Sequence, residues 1–154
     1  MGSRTSRTST SWRRTSALRA GRNGEAAGYF RQYLGAGVPD LGLEQLTRID
    51  LASALEATGD TAAAREELQR ASAIDGPAKG EAVLQLARLE ENSGAKEKAL
   101  DLFQQYIADY TDGVGRDLAR ARVVALGGTP PAAPSRLPPG FPAGQLPPGM
   151  IQAQ

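Results

Sequence analysis

The sequence predicts an all-α fold, a short stack of antiparallel helical hairpins, on three observations. A Gly is followed five residues on by an Ala and four after that by a large apolar residue, at Gly21, Ala26 and Phe30, at Gly59, Ala64 and Leu68, and at Gly94, Ala99 and Phe103. The copies are 38 and 35 residues apart. The segments Phe30-Arg-Gln-Tyr-Leu34 and Phe103-Gln-Gln-Tyr-Ile107 match closely, 73 residues apart. Aromatics are only 5% of the chain and hydrophobics 40%, with Ala foremost. Ala is the best helix former and a weak strand former, so such a core suits close-packed helices. Repetition at this period marks an array in which each unit buries its apolar face on the next.

The elements follow in order. Residues 1–11 are Ser, Thr and Arg with almost nothing apolar, and are expected to be disordered. Trp12 to Leu34 reads as a first hairpin with a damaged first half, because Arg13, Arg14, Thr15 and Ser16 stand where an apolar stripe belongs. In its second half Ala26, Phe30, Tyr33 and Leu34 fall on one helical face. Pro39 helps to stop that helix, and Asp40 is placed to cap the next, Leu41 to Thr58, with Leu43, Leu46, Leu51 and Leu55 as its apolar face. Gly59 ends it. Asp60 caps Thr61 to Ile74, where Ala64, Leu68 and Ala71 recur at helical spacing. A turn at Asp75-Gly76-Pro77 leads to a helix from Pro77 to Asn92, apolar at Val83, Leu84, Leu86, Ala87 and Leu89. After Gly94, Lys96 to Tyr110 carries Ala99, Leu100, Leu102, Phe103, Tyr106 and Ile107. Arg116 to Leu126 is a last helix with Leu118, Ala119, Val123 and Leu126 apolar, ended by Gly127-Gly128. It is expected to cap the array.

Residues 127–154 form a Pro- and Gly-rich tail that is expected to be disordered and not to pack on the domain. Eight of the chain's ten Pro lie there, and Leu-Pro-Pro-Gly occurs at 137–140 and again at 146–149. No uninterrupted apolar run approaches the ~18 residues that would span a membrane.

The spacing carries a resemblance to a known family. Leu51, Ala52, Leu55, Gly59, Ala64, Leu68 and Ala71, and 35 residues on Leu86, Ala87, Gly94, Ala99, Phe103 and Tyr106, look like the consensus of the tetratricopeptide repeat. The resemblance covers about residues 12–110, with a partial first copy. Glu90 holds a position where the family often has Tyr, and Gly76 or Thr111 stands where it has Pro. The resemblance implies a short superhelix of about two and a half hairpins in the domain 12–126. Within each hairpin the small pairs Ala52 with Ala64, and Ala87 with Ala99, would allow close approach. The run Leu102-Phe-Gln-Gln-Tyr-Ile-Ala-Asp-Tyr110 is also similar to bacterial envelope members of the family, which assist outer-membrane assembly or envelope complexes.

Charge and composition exclude several classes of function. Residues 1–22 carry six Arg and no acid, while the remaining 132 residues carry 12 basic and 17 acidic groups, a net of −5. An acidic body argues against nucleic-acid binding by the folded part. The chain has no Cys and no His, which removes thiol nucleophiles, disulfides, imidazole acid–base chemistry and ordinary zinc sites. Glu66-Glu67 and Glu90-Glu91 are adjacent pairs whose side chains diverge on a helix, so they do not converge on one reacting atom. No phosphate loop or metal-ligand cluster is present, and no enzyme activity or cofactor is expected.

By the family register, the first helices of the repeats line a groove. One copy would present Asp50, Ser53 and Glu56, and the next Glu81, Gln85, Arg88, Glu91 and Asn92. These suit an extended or helical peptide of basic character, or serve only as a solvated face. The family's clamp for a peptide carboxylate uses Lys and Asn at positions held here by Ile49 and Ser53, then Leu84 and Arg88, so it does not carry over.

The tail offers a second contact. Arg136, Pro138, Pro139, Phe141 and Pro142 have the form read by SH3 grooves. Pro138-Pro-Gly-Phe141 and Pro147-Pro148-Gly-Met150 resemble ligands of GYF adaptor domains, and two copies permit avidity. The simpler reading is a linker of biased composition.

The expected function is a non-catalytic scaffold or adaptor that holds a protein or peptide partner in the groove. The alternatives are self-association within a bacterial envelope complex, through an unsatisfied face at Trp12–Leu34, and RNA or membrane-surface binding through the Arg-rich start. The start also matches an N-myristoylation pattern at Gly2 and Ser6, and its Arg- and Ser-rich composition occurs in organelle transit peptides. As written, the chain carries no export signal and is expected in the cytoplasm. An upstream signal or anchor would place it in the periplasm or envelope.

Overall fold

The computed structural model describes residues 6–111 and 114–132, with side chains for 21–111 and 115–132. Those residues form six helices and no strand: α1 (Ser6–Gly35), α2 (Leu41–Thr58), α3 (Thr61–Ala73), α4 (Lys79–Asn92), α5 (Lys96–Asp109) and α6 (Val114–Ala125). Each helix packs against the next in chain order, as in a helical repeat.

The helix ends arise from local chemistry. Asp40 accepts the Leu43 N–H at 2.8 Å, and Asp60 accepts the Ala63 N–H at 3.2 Å, each filling a donor that the first turn leaves open. Gly59 closes α2 and Gly94 closes α4, at φ 90° and 81°. Their N–H groups reach Glu56 O and Glu91 O, and the following N–H groups reach Leu55 O and Glu90 O. This left-handed closure penalises any residue with a Cβ, so the repeated Gly is a repeated stop.

Antiparallel pairing is visible in the contacts. Between α2 and α3, Arg48 meets Glu67 and Gln45 meets Ala71, so position rises on one helix as it falls on the other. The small residues sit where two helices meet: Ala52 is 1% exposed, and Ala64, Ala87 and Ala99 are 0%. Two cores result. One joins Ala27, Ile49, Leu51, Ala52, Leu55, Leu68 and Leu86, and the other joins Val83, Ala87, Phe103, Ile107, Ala119 and Val123. Helix α4 contributes to both.

Four expectations are corrected. The segment Trp12–Leu34 is not a hairpin, because α1 runs unbroken from Ser6 to Gly35 and includes residues 6–11. A turn near Gly21 would bring back an arm with no apolar stripe to bury, so the backbone keeps its helical hydrogen bonds and absorbs the ~1 kcal/mol cost of each Gly. Tyr33 is 44% exposed, and Ala26, Ala27, Phe30 and Leu34 make the contact. In α2, Leu43 and Leu46 are half-exposed, and Gln45 is fully buried in the face they were expected to supply. The tail does not leave the domain at once, since Thr129 and Pro131 are hydrogen-bonded to Gln104 and Arg120.

Candidate functional site

The first helices of the two full hairpins, α2 and α4, lie side by side with α6 as the third member of the row. Ser53 Oγ donates to Gln85 Oε1 at 3.4 Å, and Arg88 Nη2 meets Glu56 Oε2 at 3.1 Å. Both rungs join positions 32 apart, so α2 and α4 run parallel. From α4 to α6, Arg122 Nη1 meets Glu91 Oε1 at 3.4 Å, 31 residues apart. Glu56–Arg88 and Glu91–Arg122 are thus one acid–arginine rung repeated a unit later. Arg88 and Arg122 are about half exposed in these pairs. Such pairs contribute about 0–1 kcal/mol, so they yield easily to a competing partner.

Between α4 and α6 opens a cleft of about 190 Å³, lined by Glu81, Leu84, Gln85, Arg88, Glu91, Phe103, Leu118 and Arg122. Leu84, Phe103 and Leu118 supply apolar surface, and the charged and amide groups surround it. Gln85 Nε2 donates to Glu81 Oε1 at 2.7 Å, but Glu81 has no ion pair among the described residues.

Of the eight groove residues expected from sequence, Glu81, Gln85, Arg88 and Glu91 line the cleft. Ser53 and Glu56 adjoin it through their bonds to Gln85 and Arg88. Asp50 is exposed one turn before Ser53, and Asn92 is exposed at the end of α4 without lining the cleft. The tail residues Arg136, Pro138, Pro139, Phe141, Pro142, Pro147, Pro148 and Met150 lie outside the described residues.

Sequence reasoning missed Leu84, Phe103, Leu118 and Arg122 as cleft residues. The signal was there for Arg122, which follows Glu91 by nearly the interval that separates Glu56 from Arg88. Leu118 read as core because an apolar residue at helical spacing usually is. It is instead 50% exposed and faces the cleft.

Away from the cleft lining, two arginines each hold a buried acid, Glu90 and Glu67. Arg65 Nε meets Glu90 Oε1 at 2.6 Å, and the Glu90 residue is 3% exposed. The Glu90 hydrogen bond holds the Arg65 guanidinium above its ordinary pKa. Arg48 joins Glu44 and Glu67 at 2.7 and 2.8 Å. Burial opposes the Arg48 charge, but bonds to the two carboxylates outweigh it and raise the pKa. Tyr106 stacks on Tyr110 with ring centroids 4.5 Å apart, and burial, then Tyr110 and Glu81, push its phenol up.

Among the described residues no group of three or more His, Cys, Asp or Glu is placed to hold a metal ion, and no helix is long and apolar enough to cross a membrane. No protein-family model, curated protein or solved structure matches the chain.

Proposed function

We propose that the chain is a non-catalytic, tetratricopeptide-like scaffold that holds a protein partner on the face of α2, α4 and α6. The observation that carries this reading is the α4–α6 cleft, where exposed Leu118 stands beside Leu84 among charged groups. An exposed apolar side chain ringed by weakly held charges is the anatomy of a small recognition site. The carboxylate of Glu81 favours a partner that presents an apolar side chain next to a basic one. The Pro-rich tail beyond residue 132 is a second, independent contact.

A capture experiment tests it, with the full chain as bait against source-cell lysate and captured proteins identified by mass spectrometry. The comparison is with Leu118→Glu, with Arg88→Ala plus Glu91→Ala, and with a chain ending at Ala132. The expected result is one reproducible partner, lost at least tenfold with either cleft variant, equivalent to about 1.4 kcal/mol, and kept by the shortened chain. Loss only on shortening makes the tail the ligand. Capture of nothing by any version ends the scaffold reading.

Self-association is the second reading, favoured by a different observation. Of the seven exposed large apolar side chains among the described residues, Tyr29, Tyr33, Leu41, Leu43 and Leu46 lie within residues 29–46, where α1 meets α2.

A further inference from the structure

The backbone does not depart from the stack where α6 ends. Gly127, at φ 83°, turns it: the Gly127 N–H reaches Val124 O at 2.9 Å and the Gly128 N–H reaches Val123 O at 2.8 Å. This closure sends the chain back along the helix it has just left. Two side chains then hold it. Gln104 of α5 donates from Nε2 to Thr129 O at 3.3 Å, and Arg120 of α6 donates from Nη1 to Pro131 O at 2.6 Å. Gly128 itself sits so close that a Cβ would collide with Leu100 Cδ1 of α5 and stand 3.1 Å from Val123 Cγ1 of α6. Residues 127–131 therefore lie across the seam between the last two helices.

We propose that residues 127–132 are the terminal cap of the stack, seated where a seventh helix would otherwise pack. Every inner helix has a neighbour on each side in chain order, but α6 has only α5 before it. An open seam there would expose more of Leu100 and Val123, which are half-buried and buried in the structure.

The composition suits the task. Residues 128–132 are not helical, and a non-helical backbone advances more per residue than the ~1.5 Å of a helix, so a few residues cover the seam. Pro130 and Pro131 carry no N–H, so they lie on a helix face without stranding a donor. Two of the segment's carbonyl oxygens, those of Thr129 and Pro131, are met by the amide N–H of Gln104 and the guanidinium of Arg120. Gly128 allows the close approach that sets the segment into the seam rather than over it. This cap is independent of the cleft and of any partner there.

Amide hydrogen exchange on the full chain tests the proposal. The variants are Gly128→Val, which fills the seat, Gln104→Ala with Arg120→Ala, which removes the two donors without adding bulk, and Leu137→Ala as a control beyond the segment. The expected result is that amides of residues 118–126 exchange at least fivefold faster in the first two, while those of α2 and α3 and the control stay unchanged. If Gly128→Val also speeds α2 and α3, the whole chain has loosened and only the double variant is read. Unchanged exchange of 118–126 in the double variant overturns the cap, whatever Gly128→Val does.

Discussion

At the scale of single residues, the buried Gln45 joins α2 to the passage between α3 and α4. It is 0% exposed, and its amide meets three backbone groups. Nε2 donates to Ala71 O and Ile74 O at 2.9 Å each, and Oε1 accepts the Ala78 N–H at 2.8 Å. These are groups at the end of α3 and the start of α4: the two carbonyls also accept the Ile74 and Gly76 N–H groups at 3.3 and 3.0 Å, while the Ala78 N–H depends on Gln45. One side chain on α2 thereby fixes the passage between the two hairpins. Gln45→Leu is expected to cost about 1–3 kcal/mol, because it leaves the buried Ala78 N–H unpaired while the two carbonyls keep a backbone donor, and a urea melt at neutral pH measures it. Tyr106 gives a pH-dependent counterpart. Its folded pKa is raised above the ordinary phenol value of 10.0, first by burial. The stability it contributes is full below pH 10 and is lost as pH rises through the higher folded value. Melts between pH 8 and pH 11 are expected to show Tyr106→Phe close to wild type at pH 8 and with a shallower loss above pH 10. Equal slopes in the two chains would remove Tyr106 from the account.

Elements were legible where a local signal decided them. The bounds of α2 agree with Asp40 and Gly59, and those of α3 to α6 fall within about two residues of their caps and turns. What the sequence did not yield is which of two neighbouring stripes a helix buries. On α2 the stripe Leu43, Leu46, Asp50 and Ser53 begins apolar and ends polar, and it leads onto the cleft face. The buried stripe contains Gln45, and a buried amide is foreseen only by knowing the backbone groups it meets. The unbroken α1 was hidden for a related reason, since Gly21 repeats the stop of Gly59 and Gly94 without a preceding arm that has an apolar stripe to fold back. Half of the expected groove residues line the cleft, because Glu81, Gln85, Arg88 and Glu91 share one face of α4, but its apolar surface required knowing how α6 faces α4. The small pairs set the spacing of the elements. Ala99 is 0% exposed beside Ala87, so Ala99→Leu is expected to overpack α4 on α5 and cost about 1–3 kcal/mol, a fall of several degrees in Tm by calorimetry.

Across the whole molecule the two ends differ. The seam between α5 and α6 is partly covered by residues of the chain itself, although Leu118 and Val124 of α6 stay exposed, and the region where α1 meets α2 leaves Tyr29, Tyr33 and three Leu in solvent. An association that buries that region joins two copies through the same surface and closes as a pair. Sedimentation across a hundredfold dilution is expected to show a monomer–dimer equilibrium, shifted at least tenfold toward monomer by Tyr29→Ser with Tyr33→Ser. A dimer indifferent to that double change would have to use another face. A last consequence follows from helices that touch chiefly their neighbours in chain order. Such a molecule never waits for a distant segment: each helix finds its seat as soon as the one before it is in place, so structure can accumulate in the order of synthesis. The cost of that order falls late, since the segment proposed to secure α6 follows it in the chain.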